Sequence, residues 1–368
     1  MEPVRILHVL DRFNQGGIEN FIMNVYRNID RSQFQFDFAF RYKEKGCFDD
    51  EVRKMGGHIF YFDNEVKSLS NYHNSLKRII EQNGPFVAVH SHVYYFSGYV
   101  LWVAKKCGVK VRIAHSHETQ KGRKPTIIRK TYEYIMKKMI FHYSTTVFAC
   151  SKASGDYVFG KGSNYKVLNY AIDAKRFTFN EENRNKIRKQ LNIEHKTVLL
   201  NVGRYADQKN HFFLLDVFKN VLNKMNDAVL IIIGGDSPLK TATEEYINKN
   251  NLQNNVILLS NIFNTEDYYN AADMFLLPSK YEGFGIVLIE SQATGLKTLV
   301  SSTVTREVVF TDLVEYHGIG ESDKEEWANS IVSASKINVD RAIYSSKLKD
   351  SPFTISQMVK RLTDTYLS

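Results

Sequence analysis

The sequence predicts an α/β protein of two Rossmann-like domains facing across a cleft. Three observations carry that expectation. The chain has 368 residues with 43% hydrophobic content, enough for two domain cores. Short β-rich apolar runs alternate with longer helix-like stretches, the pattern of parallel sheets covered by helices. The alternation occurs twice, and a polar stretch containing Asn180-Glu181-Glu182-Asn183-Arg184-Asn185 separates the two rounds.

In the first half, strands are expected at residues 4–10, 36–40, 57–62, 86–90, 111–115, 146–149 and 166–168. In the second they are expected at 197–202, 228–233, 255–259, 274–277 and 297–301. Residues 174–194 read as a linker leading into a short helix, which gives domains at 1–175 and 176–352 and a final segment, 353–368. There is no solenoid-length repeat and no low-complexity tract. Ligands of such sheets sit beyond the carboxyl ends of the strands, so those ends are where function is sought.

Composition excludes several classes. The longest apolar candidate for a membrane span, Val93 to Ala104, is too short and is broken by Ser97 and Gly98. Arg5-Ile6-Leu7-His8-Val9-Leu10 reads as a buried first strand rather than a signal peptide. Cys47, Cys107 and Cys150 are few, odd in number and far apart, which argues against a disulfide framework and for a cytoplasmic location. The net charge of +9 is uneven: residues 1–180 hold 28 Lys/Arg against 16 Asp/Glu, and residues 181–368 hold 21 against 24. Such a basic half implies an anionic membrane surface or a polyanion. Between Lys121 and Lys138 the cations are interleaved with Ile127, Ile128, Tyr132, Tyr134 and Ile135, so a helix there would set charge beside an apolar stripe.

The most informative strand end is Pro278-Ser279-Lys280-Tyr281-Glu282-Gly283-Phe284-Gly285, followed by the helix-like Ile286-Val287-Leu288-Ile289-Glu290. Pro278 should end the strand, and the two glycines let bare backbone approach a ligand before a helix whose free N–H groups seat an anion. Glu282 stays in the turn and Glu290 enters the helix, so one extended ligand can bridge them. A nucleotide diphosphate sugar has the right length and chemistry: sugar at Glu282, phosphates at the helix start, ribose hydroxyls at Glu290.

Three further segments fall at strand ends. Gly203-Arg204-Tyr205-Ala206-Asp207-Gln208-Lys209-Asn210 places two cations five residues apart, suited to neutralising a diphosphate. Gly16-Gly17-Ile18-Glu19 opens a helix after the first strand and leaves room for a phosphate or sugar. His90-Ser91-His92 and Ala114-His115-Ser116-His117 carry alternate histidines without cysteines. A neutral imidazole there would hydrogen-bond a sugar hydroxyl, and packing is the alternative.

This ordered set, together with Asn169-Tyr170-Ala171-Ile172-Asp173, Ala272-Asp273 and Thr303-Val304-Thr305-Arg306-Glu307-Val308, resembles glycosyltransferase family 4 over nearly the whole chain, most closely its bacterial EpsF-like capsule and exopolysaccharide members. The resemblance implies the GT-B fold and a retaining transfer from a nucleotide-sugar donor, expected to be UDP-linked, with no cofactor and no metal. It implies that Arg204 and Lys209 bind the diphosphate and Glu290 the ribose. Glu282, with the backbone of Gly283, Phe284, Gly285, Ile286 and Val287, would hold the donor sugar. Gly16 and Gly17 would border the phosphates, and Ser260, Asn261 and Ile262 would meet the base. At the base the chain departs from the family pattern, with Ser260 for a frequent glycine and Ile262 for a frequent basic residue. His117 would lie near the reacting carbon, with His115 and His92 on the acceptor and sugar side. Catalysis would then rest on His117, Glu282, Arg204 and Lys209.

The implied partners are the nucleotide-sugar donor, a lipid-linked saccharide acceptor and an anionic membrane face, with no nucleic acid. The last helix, near residues 354–366, would return to the first domain. Loops 42–55 and 119–128 would shape the acceptor side. Rival chemistries are weaker. Gly155 to Gly162 nearly spells a phosphate-binding loop but places Gly162 where a Ser or Thr must reach magnesium; no G-x-G-x-x-G and no D-x-D triplet occurs. A nucleotide-sugar epimerase on the same fold, or a polyanion-binding module with a degenerate site, are the alternatives that remain.

Overall fold

The computed structural model of the chain describes residues 2–13, 16–63, 68–117, 126–235 and 237–368. It consists of two units, Met1–Ala171 with Ile355–Ser368, and Ile172–Thr354.

In chain order, unit 1 contains β1 (Val4–Leu10), α1 (Gly17–Asn28), β2 (Phe34–Phe40), α2 (Asp49–Lys54), β3 (Ile59–Tyr61), α3 (Leu69–Asn83), β4 (Phe86–Ser91), α4 (Ser97–Lys106), β5 (Val111–Ser116), α5 (Ile127–Tyr143), β6 (Thr146–Ala149), α6 (Lys152–Phe159) and β7 (Lys166–Val167). The sheet order is β3-β2-β1-β4-β5-β6-β7, all parallel, so the order reverses between β1 and β4. β2 is buried along its whole length, as a central parallel strand covered on both faces must be. Ser68, Thr126 and Ser151 cap α3, α5 and α6 by accepting from the third following amide. The C-terminal helix, Ile355–Tyr366, packs on α1 and buries Met358, Leu362 and Tyr366.

Unit 2 continues with α7 (Glu181–Gln190), β8 (Thr197–Val202), α8 (His211–Leu222), β9 (Ala228–Gly234), α9 (Pro238–Lys249), β10 (Val256–Ser260), α10 (Thr265–Ala271), β11 (Met274–Leu277), α11 (Ile286–Ala293), β12 (Lys297–Ser301), β13 (Val314–His317), α12 (Asp323–Ala334) and α13 (Tyr344–Lys349). Its parallel sheet runs β10-β9-β8-β11-β12-β13, reversing between β8 and β11.

Every strand expected from the sequence is present, with ends within two residues. Two expectations need correction. β13 was not expected: it is a short edge strand whose Glu315 faces solvent, so it lacks the apolar run of the central strands. Residues 174–194 do lead into a short helix, α7, which is capped by Asn180 and anchored through Arg184 and Arg188 to Asp273 at 2.5 and 2.6 Å. Asp273 also accepts from the Val198 amide, which makes it a fastener at the start of β11. Within 42–55, residues 49–54 form α2 instead of an open loop, with three acidic residues in its first turn and Arg53 and Lys54 in its last. Of the 119–128 loop, residues 119–125 lie outside the described residues.

Candidate active site

The strand order reverses between β8 and β11, the place where sheets of this kind take ligands at the carboxyl ends, and the two loops that leave these strands are stitched together. Gln208 Nε2 donates to the Tyr281 carbonyl at 2.8 Å, and the Lys280 amide donates to the Gln208 carbonyl at 2.8 Å. Asn210 Nδ2 reaches the Pro278 carbonyl at 3.3 Å. These bonds bring the residue pair that the sequence keeps 73 positions apart into contact: Lys209 Nζ meets Glu282 Oε1 at 2.7 Å, with side chains 12% and 8% exposed. Arg204, at the mouth of the β8 loop, is exposed.

β11 stops at Leu277, before Pro278, and Gly285 caps α11 at φ +82, a left-handed conformation that a side chain would strain. Phe284 is buried and packs against Phe353, which fixes the turn. Glu290, the fifth residue of α11, accepts from the Tyr269 hydroxyl at 2.9 Å. Burial pushes its carboxyl up to about 7, against the pull of the Tyr269 hydroxyl and the charges of Arg176 and Lys209. Arg176 itself holds Glu266 through two bonds, at 3.0 and 2.8 Å. Tyr269 and Arg176 are residues that the sequence pattern did not single out; neither sits in a glycine turn or at a strand end.

In unit 1 the period-two spacing of His90/His92 and His115/His117 turns each pair to one sheet face. β1 adds His8, in register with His90. The rings form two hydrogen-bonded chains. One runs His8 Nδ1 to His92 Nε2 (3.0 Å), His92 Nδ1 to His117 Nε2 (2.8 Å), and His117 Nδ1 to the Tyr170 hydroxyl (2.5 Å). The other runs from the Tyr366 hydroxyl to His90 Nδ1 (3.0 Å) and from His90 Nε2 to His115 Nδ1 (3.2 Å). Burial lowers all five imidazoles, His8 and His117 to about 3, so each is neutral near pH 7. Phe21 of α1 lies edge-on to His115 at 5.1 Å and stacks on Tyr170 at 5.0 Å. His8 and Tyr170 escaped the sequence reading as site residues, although both lie inside segments that it marked.

Comparison with known proteins follows this geometry. The Glycosyltransferase Family 4 profile matches residues 15–176, and the profile of the group 1 glycosyl transferases matches residues 183–348. The EpsF protein of Bacillus subtilis (strain 168), described as a glycosyltransferase, is 31% identical over 314 residues, which is 83% of this chain and 80% of EpsF. The chain belongs to glycosyltransferase family 4. The capsular polysaccharide biosynthesis glycosyltransferase CapH of Staphylococcus aureus is 24% identical over 370 residues, 99% of each chain. The crystal structure of Anabaena HepE in complex with UDP superposes with a TM-score of 0.80 at 15% identity, covering 98% of this chain and 99% of HepE, a likeness that shows the GT-B fold.

In this family 4 chain the remaining site candidates are placed as follows. Ser260 ends β10, beside Gly234 of β9; its buried Oγ has no hydrogen-bond partner among the described residues, and Asn261 adopts φ +58 and donates its amide to the Gly234 carbonyl at 3.3 Å. Ile262 follows in the same turn. Ile286 and Val287 are the first two residues of α11 and are partly exposed. Gly16 caps α1, but the Glu19 carboxylate folds back over it: a Cβ on Gly16 would stand 2.6 Å from Glu19 Oε2. A phosphate at this turn would have to displace that carboxylate. Gly17 lies against Tyr170, 3.7 Å from where its Cβ would be.

Proposed function

We propose that the chain is a retaining, metal-independent glycosyltransferase of capsule or exopolysaccharide biosynthesis. It moves a hexose or acetamidohexose from a UDP-linked donor to a hydroxyl of a lipid-linked saccharide. The observation that carries this reading is the union of Lys209, Glu282, the Gly285 turn and Glu290 at one sheet reversal. Their order along the chain, Glu282, the Gly285 turn and then Glu290, fits a sugar, a diphosphate and a ribose. Support for UDP comes from HepE, which binds it, and support for the polysaccharide role from CapH.

In this reading Glu290, ionised, accepts from the ribose hydroxyls, and the first amides of α11 face the phosphates. Lys209 exchanges its bond to Glu282 for the diphosphate, which frees the carboxylate for donor sugar hydroxyls. Arg204 joins Lys209 in stabilising the charge that builds on the departing nucleoside diphosphate, the role a metal ion fills in other sugar transferases. The Ser260–Ile262 turn meets the base. His117, neutral, hydrogen-bonds the donor sugar near its reacting carbon, and His115 and His92 lie behind it.

The acceptor's lipid gives α5 a purpose. Ile127 and Ile128 are each 83% exposed, Tyr134 and Ile135 are also exposed, and Lys130, Lys137 and Lys138 accompany them. A helix that leaves its apolar residues in water beside cations is suited to an anionic bilayer face. No helix among the described residues is long and apolar enough to cross a membrane. Lys121, Arg123 and Lys124 lie outside the described residues.

A panel of nucleotide sugars, scored by protection against thermal unfolding, tests the reading. The true donor at a hundred times its Kd adds about 2.7 kcal/mol. Transfer to a lipid-linked acceptor should give a product with the donor's anomeric configuration and should survive EDTA. No protection by any UDP-sugar, inverted product, or manganese-reversible loss of activity would each overturn the matching part. Co-sedimentation with phosphatidylglycerol vesicles at low salt tests the membrane contact.

A further inference from the structure

The histidines of unit 1 carry more structure than a contact to a sugar requires. His92, His115 and His117 each bring one ring nitrogen within 4.8 Å of one from the other two. His92 Nδ1 and His117 Nε2 already face each other at 2.8 Å. His115 Nε2, on a residue 1% exposed, has no hydrogen-bond partner among the described residues.

On all three rings the opposite nitrogen is held from behind. His92 Nε2 is bonded to His8 Nδ1, His117 Nδ1 to the Tyr170 hydroxyl, and His115 Nδ1 to His90 Nε2, which is fixed in turn through Nδ1 by Tyr366. Metal-binding imidazoles have this arrangement: an inner nitrogen offered to the ion and an outer N–H fixed by a partner that sets tautomer and ring plane.

We propose that His92 Nδ1, His115 Nε2 and His117 Nε2 form a three-imidazole site for a borderline divalent transition metal of the zinc type. The donor set selects the ion. Three neutral nitrogens and no carboxylate suit zinc, cobalt, nickel or copper and disfavour magnesium and calcium. His117 is partly exposed, which provides the way in and a fourth position for water or an anion. Metal–nitrogen bonds of about 2.0–2.1 Å place ligand nitrogens about 3.3 Å apart, so the His92–His117 pair opens slightly while His115 closes in.

The second cluster, His8, His90 and His92, lacks this readiness. Both nitrogens of His90 are bonded to residues outside that cluster, Tyr366 and His115, whereas His92 Nδ1 and His117 Nε2 face each other within theirs. The proposal goes beyond the transferase reading and limits it: an ion on His117 Nε2 takes the nitrogen that the sugar contact would use. Zinc is therefore expected to inhibit transfer.

The test uses the full chain without an affinity tag, stripped with chelator and dialysed. Cobalt(II) addition should give the intense visible bands of a four-coordinate site at one equivalent per chain. Competition with a chromophoric zinc chelator should show His115→Ala binding more than a hundredfold more weakly and Tyr170→Phe about tenfold more weakly, the usual size of an outer-partner loss. His142→Ala, a change at an exposed histidine, should bind as the wild type does. UDP protection, measured on the same preparations, reports the donor site independently. The absence of a four-coordinate cobalt spectrum in the wild-type chain, or zinc uptake unchanged in His92→Ala/His115→Ala, would overturn the proposal.

Discussion

In unit 1 the sheet carries His8, His90, His92, His115 and His117 toward the carboxyl ends of β1, β4 and β5, every ring neutral and tied to another ring or to a tyrosine hydroxyl. In unit 2 the matching reversal between β8 and β11 gathers Lys209, Glu282 and Glu290, with Arg176 and Glu266 alongside. The sheet orders are the same around each reversal, first strand next to fourth in unit 1 and β8 next to β11 in unit 2. One topology thus hosts two electrostatic solutions. Neutral imidazoles hydrogen-bond without desolvated charge, whereas ions give stronger contacts to a phosphate but must be paired while the site is empty. The two solutions respond to pH in opposite directions, and that opposition makes the comparison testable.

The largest effect is expected on acidification. His8 and His117 have folded pKa values near 3, below the ordinary 6.5, so the stability they contribute is present above 6.5 and is lost as pH falls toward 3. At about pH 5 each contributes about 2 kcal/mol of destabilisation. The chain has two tryptophans, Trp102 in unit 1 and Trp327 in unit 2, so Trp327→Phe and Trp102→Phe leave one reporter per unit. Melting followed by Trp102 should fall steeply between about pH 7 and 5, while melting followed by Trp327 should hold or rise as Glu290 takes up its proton. Equal falls would erase the distinction.

The comparison also shows why the sequence exposes some parts of the molecule and hides others. Parallel strands covered on both faces need continuous apolar runs, and β1, β9 and β11 announce themselves that way. The Gly285 turn and its two glutamates follow a backbone rule readable from residue types alone. The bond between Lys209 and Glu282 depends on strand order, which no local pattern contains. The same holds for Tyr269 on Glu290, for Tyr170 on His117, and for His8, whose partners come from β4 rather than from its own neighbourhood. β13 was hidden for a different reason, since a short edge strand has too few buried positions to set a pattern.

Breaking the charged pair comes next in size. Lys209→Met removes the cation that Glu282 meets at a largely buried position and should destabilise unit 2 by about 3 to 5 kcal/mol, with Lys209→Met/Glu282→Leu recovering most of it in denaturant titrations followed by Trp327. Glu290 gives a somewhat smaller effect of opposite sign. Its folded pKa near 7 lies above the ordinary 4.5, so the stability it contributes below 4.5 is lost as pH rises through 7. Glu290→Gln should therefore raise the Trp327 melting temperature at about pH 8, by about 2 to 3 kcal/mol in stability, and change little at about pH 5. The smallest effect belongs to unit 1: Tyr170→Phe removes one neutral hydrogen bond from His117 and should lower transfer about fivefold, about 1 kcal/mol, in steady-state assays of the folded variant.

Whether the charged reversal in unit 2 is the nucleotide site is tested most directly by calorimetric titration of UDP into the wild-type chain and Glu290→Ala. Removing a carboxylate that accepts the ribose hydroxyls should weaken binding by about 1.5 to 3 kcal/mol, roughly 10- to 150-fold in Kd. Unchanged UDP affinity in a folded Glu290→Ala protein would contradict the assignment.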